Sequence, residues 1–356
     1  MDLPRTMHGY ELTGHGGLDR LVWHEDLPVP APGPGDVLVR VVASSVNNTD
    51  VNTRTGWYSP SVRSGTDAGA VSGYGDLGDG GWSGGDLRFP RIQGADCFGE
   101  VVATGAEVPD ARVGERVVVR TMQSAPDLGS WACRTLGSEL DGGFAQFTAV
   151  PSRHALAVPD GTGLTDAEWG ALGCSSSTAE NMLQRVGLGA ERVLVTGASG
   201  GVGLAAVQLA ALRGAHVTAM TSPAKATALR AAGAAETIGR DDAVEPAAFD
   251  VVVDLVAGPR WADVLAGLRV GGRYVASGAI AGPVVELDVR DLYLRDLTLI
   301  GATFQPDAVL PAVLGYVAEG RFRPVVAATY PLRELPAAQR TFLAKQHVGS
   351  IAIAVG

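Results

Sequence analysis

Residues 192–210, Arg192-VLVTGASGGVGLAAVQLA, constrain the fold of this 356-residue chain more than any other stretch. A short β-branched run enters a glycine-rich turn, and the turn opens an Ala/Leu-rich run with no breaker inside. That order predicts a buried strand, a tight turn and a helix over Val202 to Arg213. Ala198, Gly200 and Gly203 fall at the three small positions of a dinucleotide fingerprint. The first lets the chain turn tightly, the second lets backbone approach a pyrophosphate, and the third lets helix pack on strand. Ser199, Gly201 and Val202 complete the loop, and the helix N-terminus offers free N–H groups and partial positive charge to phosphates.

Further strands follow at His216-VTAM, Phe249-DVVVDLVAG, Gly272-RYVASGA and Leu297-TLIGATF, with helices at Ala224 to Gly233 and around Trp261 to Leu268. Such alternation predicts βαβ units and a doubly wound parallel sheet. Residues 1–165 read differently. Valine-rich runs (Asp36-VLVRVVAS, Glu115-RVVVR) separated by Gly, Pro and Asp suggest short strands of an irregular barrel. Pro324-VVAATY and Gly349-SIAIAV, after a helix at Asp307 to Glu319, read as strands returning to that first domain. The expectation is therefore an α/β chain with a β-rich domain of residues 1–165 and 306–356, and a nucleotide-binding domain of residues 166–305. Residues 59–88 hold too little apolar content for an element and read as a long loop, either a functional lid or disordered.

The second strand ends at Met220-Thr221-Ser222, where sheets that prefer NAD place an acid on the ribose 2′-hydroxyl. Ser222, Lys225 and Arg240 stand there instead, suited to charge-assisted hydrogen bonds with a 2′-phosphate, so NADPH is the expected coenzyme. The plain alternative for Lys225 and Arg240 is a pair of solvated surface cations.

The formal net charge of −10 argues against non-specific nucleic-acid or anionic-membrane partners. No run approaches the length of a spanning helix, and the first residues lack a signal-peptide core. Three scattered cysteines (Cys97, Cys133, Cys174) argue against a disulfide framework and for a reducing cytoplasm. Six scattered histidines show no metal-ligand pairing, and no nucleophile elbow, Walker loop or zinc-finger spacing is read.

Taken together, Pro32-GPGDVLVRVVASSVNNTDVNTRTGWY, Gln93-GADCFGEVVATG, Val113-GERV, Gly142-GFAQFTAVP, the glycine-rich turn, Leu292-YLRDLTLIGAT and Pro324-VVAATYPL resemble the medium-chain dehydrogenase/reductase superfamily. The branch most similar is that of zinc-independent quinone oxidoreductases and enoyl reductases. The resemblance implies a GroES-like catalytic domain beside a Rossmann NADPH-binding domain. The three catalytic-zinc positions of zinc-dependent relatives correspond to Asn47, Ala95 and Cys174, and Cys133 alone stands for the structural-zinc cysteines, so no metal is expected. Cys174 then reads as a packed thiol lining the pocket. Tyr58 matches the tyrosine of similar enoyl reductases and would return a proton to an enolate, or else merely anchor its loop. The resemblance also implies that Asn47 or Asn48 orients nicotinamide or the substrate oxygen. It places Thr178 at the nicotinamide and a small-molecule substrate in the cleft between domains, while Ser277 and Gly278 are expected to face the nicotinamide because they end a later parallel strand, on the carboxyl side where ligands bind.

The expected activity is NADPH-dependent reduction of an activated C=C bond in an enone, quinone or enoyl substrate. Zinc-free reduction of an aldehyde or ketone and non-catalytic NADPH binding stay open beside it. The Leu297-TLIGATF stretch resembles a strand through which family members pair, so a homodimer is expected.

Overall fold

The computed structural model describes residues 3–75, 77–82 and 87–356. It divides into two compact units, residues 1–62, 69–174 and 314–356 in one and residues 63–68 and 175–313 in the other. The second unit carries a six-stranded sheet in the spatial order Glu236–Ile238, His216–Met220, Arg192–Val195, Phe249–Asp254, Leu268–Ala276, Thr298–Gly301. All neighbouring pairs are parallel. Numbered along the chain this order is 3-2-1-4-5-6, that of dinucleotide-binding sheets. Val193, Leu194 and Val195 and their neighbours Val251, Val252 and Val253 are fully buried. A parallel strand covered on both faces has no polar side to present, hence these unbroken apolar runs.

The fingerprint turn is built as its residue types require. Gly197 takes a positive φ of +58° to end the strand, and the helix runs Gly201–Leu212 with Gly200 as N-cap and no side chain capping it. A Cβ on Gly203 would press into the Gly197 carbonyl oxygen and approach the Ala198 Cα to 2.6 Å. A Cβ on Gly200 would meet only the Gly197 oxygen, at 3.7 Å. Gly203 is small for packing, and Gly200 keeps space open in front of the helix.

In the first unit, Asp36–Val46 is the central strand of a seven-stranded sheet. It pairs antiparallel with Phe98–Thr104 and Phe147–Pro151, and beyond them with Ser350–Ala354 near its own end. Val326–Pro331 and Ser350–Ala354 do return to this sheet, as their sequence suggests. Among the described residues, five helices were not foreseen: Asn48–Thr55, Asp166–Trp169, Gly173–Arg185, Val289–Leu294 and Leu335–Leu343. Asn48–Thr55 and Val289–Leu294 lack the apolar periodicity that marks a helix, and Leu268–Ala276 begins earlier than its Gly271-Gly272 pair suggests.

Of the glycine-rich stretch 59–88, positions 76 and 83–86 lie outside the described residues, and the expectation of a lid or of disorder there is not addressed by them. The described part is tied down. Thr66–Gly69 forms a 3₁₀ turn, and the Thr66 N–H donates to the Ile280 carbonyl within the nucleotide unit. In the first unit, Tyr74 N–H donates to Thr55 O. The guanidinium of Arg54, which is 0% exposed, donates to Ala70 O, Gly16 O and Gln339 Oε1 at 3.1, 2.7 and 3.0 Å. Burial lowers its pKa to about 10, so it is still a cation at neutral pH.

Replacing Gly203 by Ala is expected to cost about 2 kcal/mol of stability through overpacking, read from urea unfolding. Gly200→Ala is expected to leave the midpoint unchanged. Equal midpoints for the two variants would overturn the separate roles given to these glycines.

Candidate active site

The chemistry-bearing side chains of the first unit gather around two buried aspartates. Asp96 is fully buried. Its Oδ2 accepts from Ser45 Oγ at 2.6 Å and Asn47 Nδ2 at 2.8 Å, and its Oδ1 accepts from the Cys174 N–H at 2.7 Å. Burial raises its pKa, and these hydrogen bonds oppose the rise. Asp50 is likewise buried and accepts from the backbone N–H groups of Asn47, Gly94 and Ala95 at 2.8, 3.2 and 3.0 Å. Desolvation pushes its pKa up to about 7 against those three donors.

Asn47 and Asp50 form a capping box that starts the Asn48–Thr55 helix. The segment is rich in Asn and Thr, poor helix formers, so the cap and burial supply what propensity does not. The helix ends at Gly56, in a left-handed conformation with φ +77°. Tyr58 follows two residues later. Its ring is part-exposed, yet its hydroxyl lies deep beside the side chains of Thr49 and Asn52. Burial drives its pKa far above the usual tyrosine value, and Cys174 and Asp50 add to the rise. The ring meets Trp57 and Trp82 edge to face, with centroids 5.6 and 4.5 Å away.

Asn47 therefore stands as a positioning group, its amide N–H committed to Asp96 and, at 3.3 Å, to Ser45. Asn48 Oδ1 accepts from Lys345 Nζ at 3.0 Å. The Cys174 thiol is buried, and desolvation, followed by the charges of Asp96 and Asp50, holds it well above the usual thiol range.

Zinc, implied by the fold, does not fit these residues. Zinc takes thiolate, imidazole or carboxylate donors, at least three from the protein. Asn47 and Ala95 supply no such donor, Cys174 alone among the three positions is one, and both Asp96 oxygens are engaged. Among the described residues no group of three His, Cys, Asp or Glu side chains is placed to hold a metal.

In the second unit, a dinucleotide fits the turn and the strand ends. The uncapped helix N-terminus at Gly200–Gly201 and the open space at Gly200 suit a pyrophosphate. Ala198 is fully buried beneath the turn, and Val202 lies on the first turn of the helix. Ser199 Oγ accepts from Lys225 Nζ at 3.4 Å. Lys225 is nearly buried, and its pKa is lowered by burial first and by the Arg240 charge second, which places both cations at one corner. Ser222 caps the Pro223–Lys225 turn at the end of His216–Met220, and Arg240 follows Glu236–Ile238. The motif reading overlooks that Gly197-Ala-Ser-Gly-Gly201 spells Gly-x-Ser-x-Gly. The bond from Lys225 makes Ser199 part of the cationic corner.

At the far strands, Asp254 accepts from the hydroxyls of Thr196 and Tyr274 and from the N–H of Val256 and Ala257, fixing three carboxyl ends together. Ser277 Oγ donates to Ala302 O at 2.7 Å, and a Cβ on Gly278 would stand 3.0 Å from Leu255 O. Thr178 accepts from Gln305 Nε2 at 3.4 Å. Asp50 and Gln305 escaped the sequence reading. The Asn-x-x-Asp cap spacing could have revealed the first, and no local pattern marks the second.

Residues 33–160 match the model of the alcohol dehydrogenase GroES-like domain, and residues 201–319 match that of the zinc-binding dehydrogenases. Acryloyl-coenzyme A reductase of Metallosphaera sedula is 28% identical over 339 residues, covering 90% of this chain and 93% of the relative. Quinone oxidoreductase of Lama guanicoe is 28% identical over 353 residues, covering 93% and 92%. A crystal structure from Sinorhizobium meliloti 1021, described as a candidate alcohol dehydrogenase, superposes with a TM-score of 0.87 at 41% identity over 99% of this chain and 97% of that one. With a GroES-like domain, a parallel nucleotide-binding sheet in the dinucleotide order and relatives along nearly its whole length, this chain belongs to the medium-chain dehydrogenase/reductase superfamily and is an oxidoreductase of that family.

Proposed function

We propose that the protein reduces an activated C=C bond, conjugated to a carbonyl, with NADPH and without zinc. The observation that carries this reading is the Tyr58 hydroxyl, buried beside Thr49 and Asn52, in a site whose carboxylates are already saturated with donors. Hydride addition at a β-carbon leaves charge spread over an enolate, and the α-carbon then needs a proton. A neutral phenol supplies that proton without a metal. The names of the acryloyl-coenzyme A reductase and quinone oxidoreductase relatives support the same substrate class.

The residues divide the work. Gly200, Gly201 and the helix N-terminus would hold the pyrophosphate, and Ser199, Ser222, Lys225 and Arg240 the 2′-phosphate. Bound there, NADPH supplies the hydride. Asp96 holds Asn47, and Asn47 starts the helix whose end carries Tyr58. Tyr58 gives its proton to the α-carbon and regains one from solvent, so that a hydride and a proton together saturate the double bond.

A second copy of the chain is the proposed partner. Thr298–Gly301 ends the parallel sheet, and Leu299, Tyr293 and Leu294 are exposed on and beside it, at 37%, 60% and 67%. An open, apolar sheet edge invites pairing.

Five outcomes are expected. Lys225→Ala should weaken NADPH binding by about 10- to 100-fold, the worth of a charged hydrogen bond, and leave NADH binding nearly unchanged in fluorescence titrations. An equal loss for both coenzymes would remove the 2′-phosphate assignment. Tyr58→Phe should lower kcat on an enone by about 100-fold or more with NADPH affinity retained. The product should be the saturated carbonyl, and wild-type turnover should survive prolonged chelation. An allylic alcohol as product would identify carbonyl reduction, and NADPH binding without any turnover would identify a binding protein. Leu299→Asp should shift the sedimenting species from dimer to monomer, whereas a monomeric wild type would refute the pairing.

A further inference from the structure

Gln305 lies just past the carboxyl end of Thr298–Gly301, the side of a parallel sheet on which ligands bind. Its backbone is held from behind. Asn181 Nδ2 and Arg185 Nη2 donate to the Phe304 carbonyl at 3.2 and 2.7 Å, and Arg185 Nη1 donates to Gly301 O at 3.3 Å. With the Ser277 bond to Ala302 O, three carbonyls of the segment 301–304 are fixed. The Gln305 side chain is thus placed by a rigid turn, and it is 3% exposed. Its Nε2 donates to Thr178 Oγ1 at 3.4 Å, while its Oε1 accepts from no described residue.

A buried amide oxygen without a donor is a standing cost, and a natural chain keeps one where a ligand or water completes it. Thr178, which takes the glutamine N–H, is itself part-exposed. Since its oxygen accepts from the glutamine, the hydroxyl retains its own proton as a donor. An acceptor and a donor side by side complement a primary carboxamide, which carries N–H donors and a carbonyl acceptor in one plane.

We propose that Gln305 Oε1 and the Thr178 hydroxyl together recognise the carboxamide of the nicotinamide ring, the glutamine accepting its N–H and the threonine donating to its oxygen. The inference rests on the dinucleotide reading above and adds a specificity-determining residue to it. A pyridine carrying a carboxylate in place of the amide would set lone pairs against Gln305 Oε1, so the pair discriminates amide from acid. The same contact fixes which way the ring lies in its plane of binding, since a flipped carboxamide would leave both protein groups unmatched.

The test uses calorimetric titration of the full chain with three ligands. These are NADP⁺, its nicotinic acid counterpart, and 2′-phospho-ADP-ribose, which lacks the pyridine. The wild type should prefer the amide to the acid by about tenfold. Gln305→Leu should erase that preference and weaken NADP⁺ by about fivefold, with 2′-phospho-ADP-ribose unchanged. Gln305→Glu, which keeps an acceptor oxygen, should retain the preference. If Gln305→Leu keeps the amide preference, or weakens 2′-phospho-ADP-ribose as much as NADP⁺, the inference is overturned while the dinucleotide reading stands. Failure of the wild type to bind 2′-phospho-ADP-ribose would overturn both.

Discussion

The catalytic unit depends on one buried carboxylate. Asp96 joins the end of the central strand through Ser45, the start of the Asn48–Thr55 helix that leads to Tyr58 through Asn47, and the first turn of the Gly173–Arg185 helix through the Cys174 N–H. A charge removed from water is expensive unless its lone pairs are met, and here all the meeting groups come from elements distant in sequence. The arrangement therefore works as a clamp. Asn47 cannot leave Asp96 without taking a donor from a buried carboxylate, which favours keeping the start of the helix and Tyr58 in place. Asp254 does the same for the nucleotide unit, gathering Thr196, Tyr274 and two backbone N–H groups where the strands end. In each unit a satisfied aspartate lies under the surface where chemistry or binding is proposed.

What was legible in the sequence follows from where the information is local. His216–Met220 and Arg192–Val195 are read correctly because a short β-branched run between turn residues has few other ways to fold. The turn at Gly197–Gly203 is legible because each glycine answers a local steric demand. Asn48–Thr55 was not, because its helix is imposed by Asn47, Asp50 and burial against a sheet that the segment itself does not reveal. The described part of the 59–88 stretch is a loop, as its composition suggests, but what holds it could not be read locally. The partners that fix it, Arg54, Thr55 and Ile280, lie elsewhere in the chain. Gln305 is the extreme case, since a single polar residue after a strand gains meaning only when Thr178 is found against it.

The overall charge of −10 and the binding of a polyanionic coenzyme are reconciled by distance. Long-range repulsion is screened within roughly 10 Å at ordinary ionic strength, so a local corner decides. Lys225 is partly desolvated and feels Arg240, and both effects lower its pKa. A 2′-phosphate brought to the same corner would reverse that shift, because an anion favours the charged ammonium. The corner is thus poised, with its own cations mutually unfavourable until an anion arrives. The unphosphorylated coenzyme would bring no such relief.

The pKa of Tyr58 also bears on the kind of bond being reduced. A phenol enclosed by apolar rings and near Asp50 resists ionisation, so it gives up its proton only to a much stronger base and must be reprotonated promptly. Carbonyl reduction concentrates the new charge on one oxygen, where zinc-dependent relatives would employ a Lewis acid. Here the positions that would hold that ion present an amide, a methyl group and a single thiol. Conjugate addition asks less of the site, because the charge is delocalised from carbon to oxygen before any proton moves. A weakly acidic phenol can then protonate the carbon without ever having to stabilise a full alkoxide. The same burial that makes Tyr58 a poor acid within the site therefore supports the proposed reduction of an alkene over that of a carbonyl.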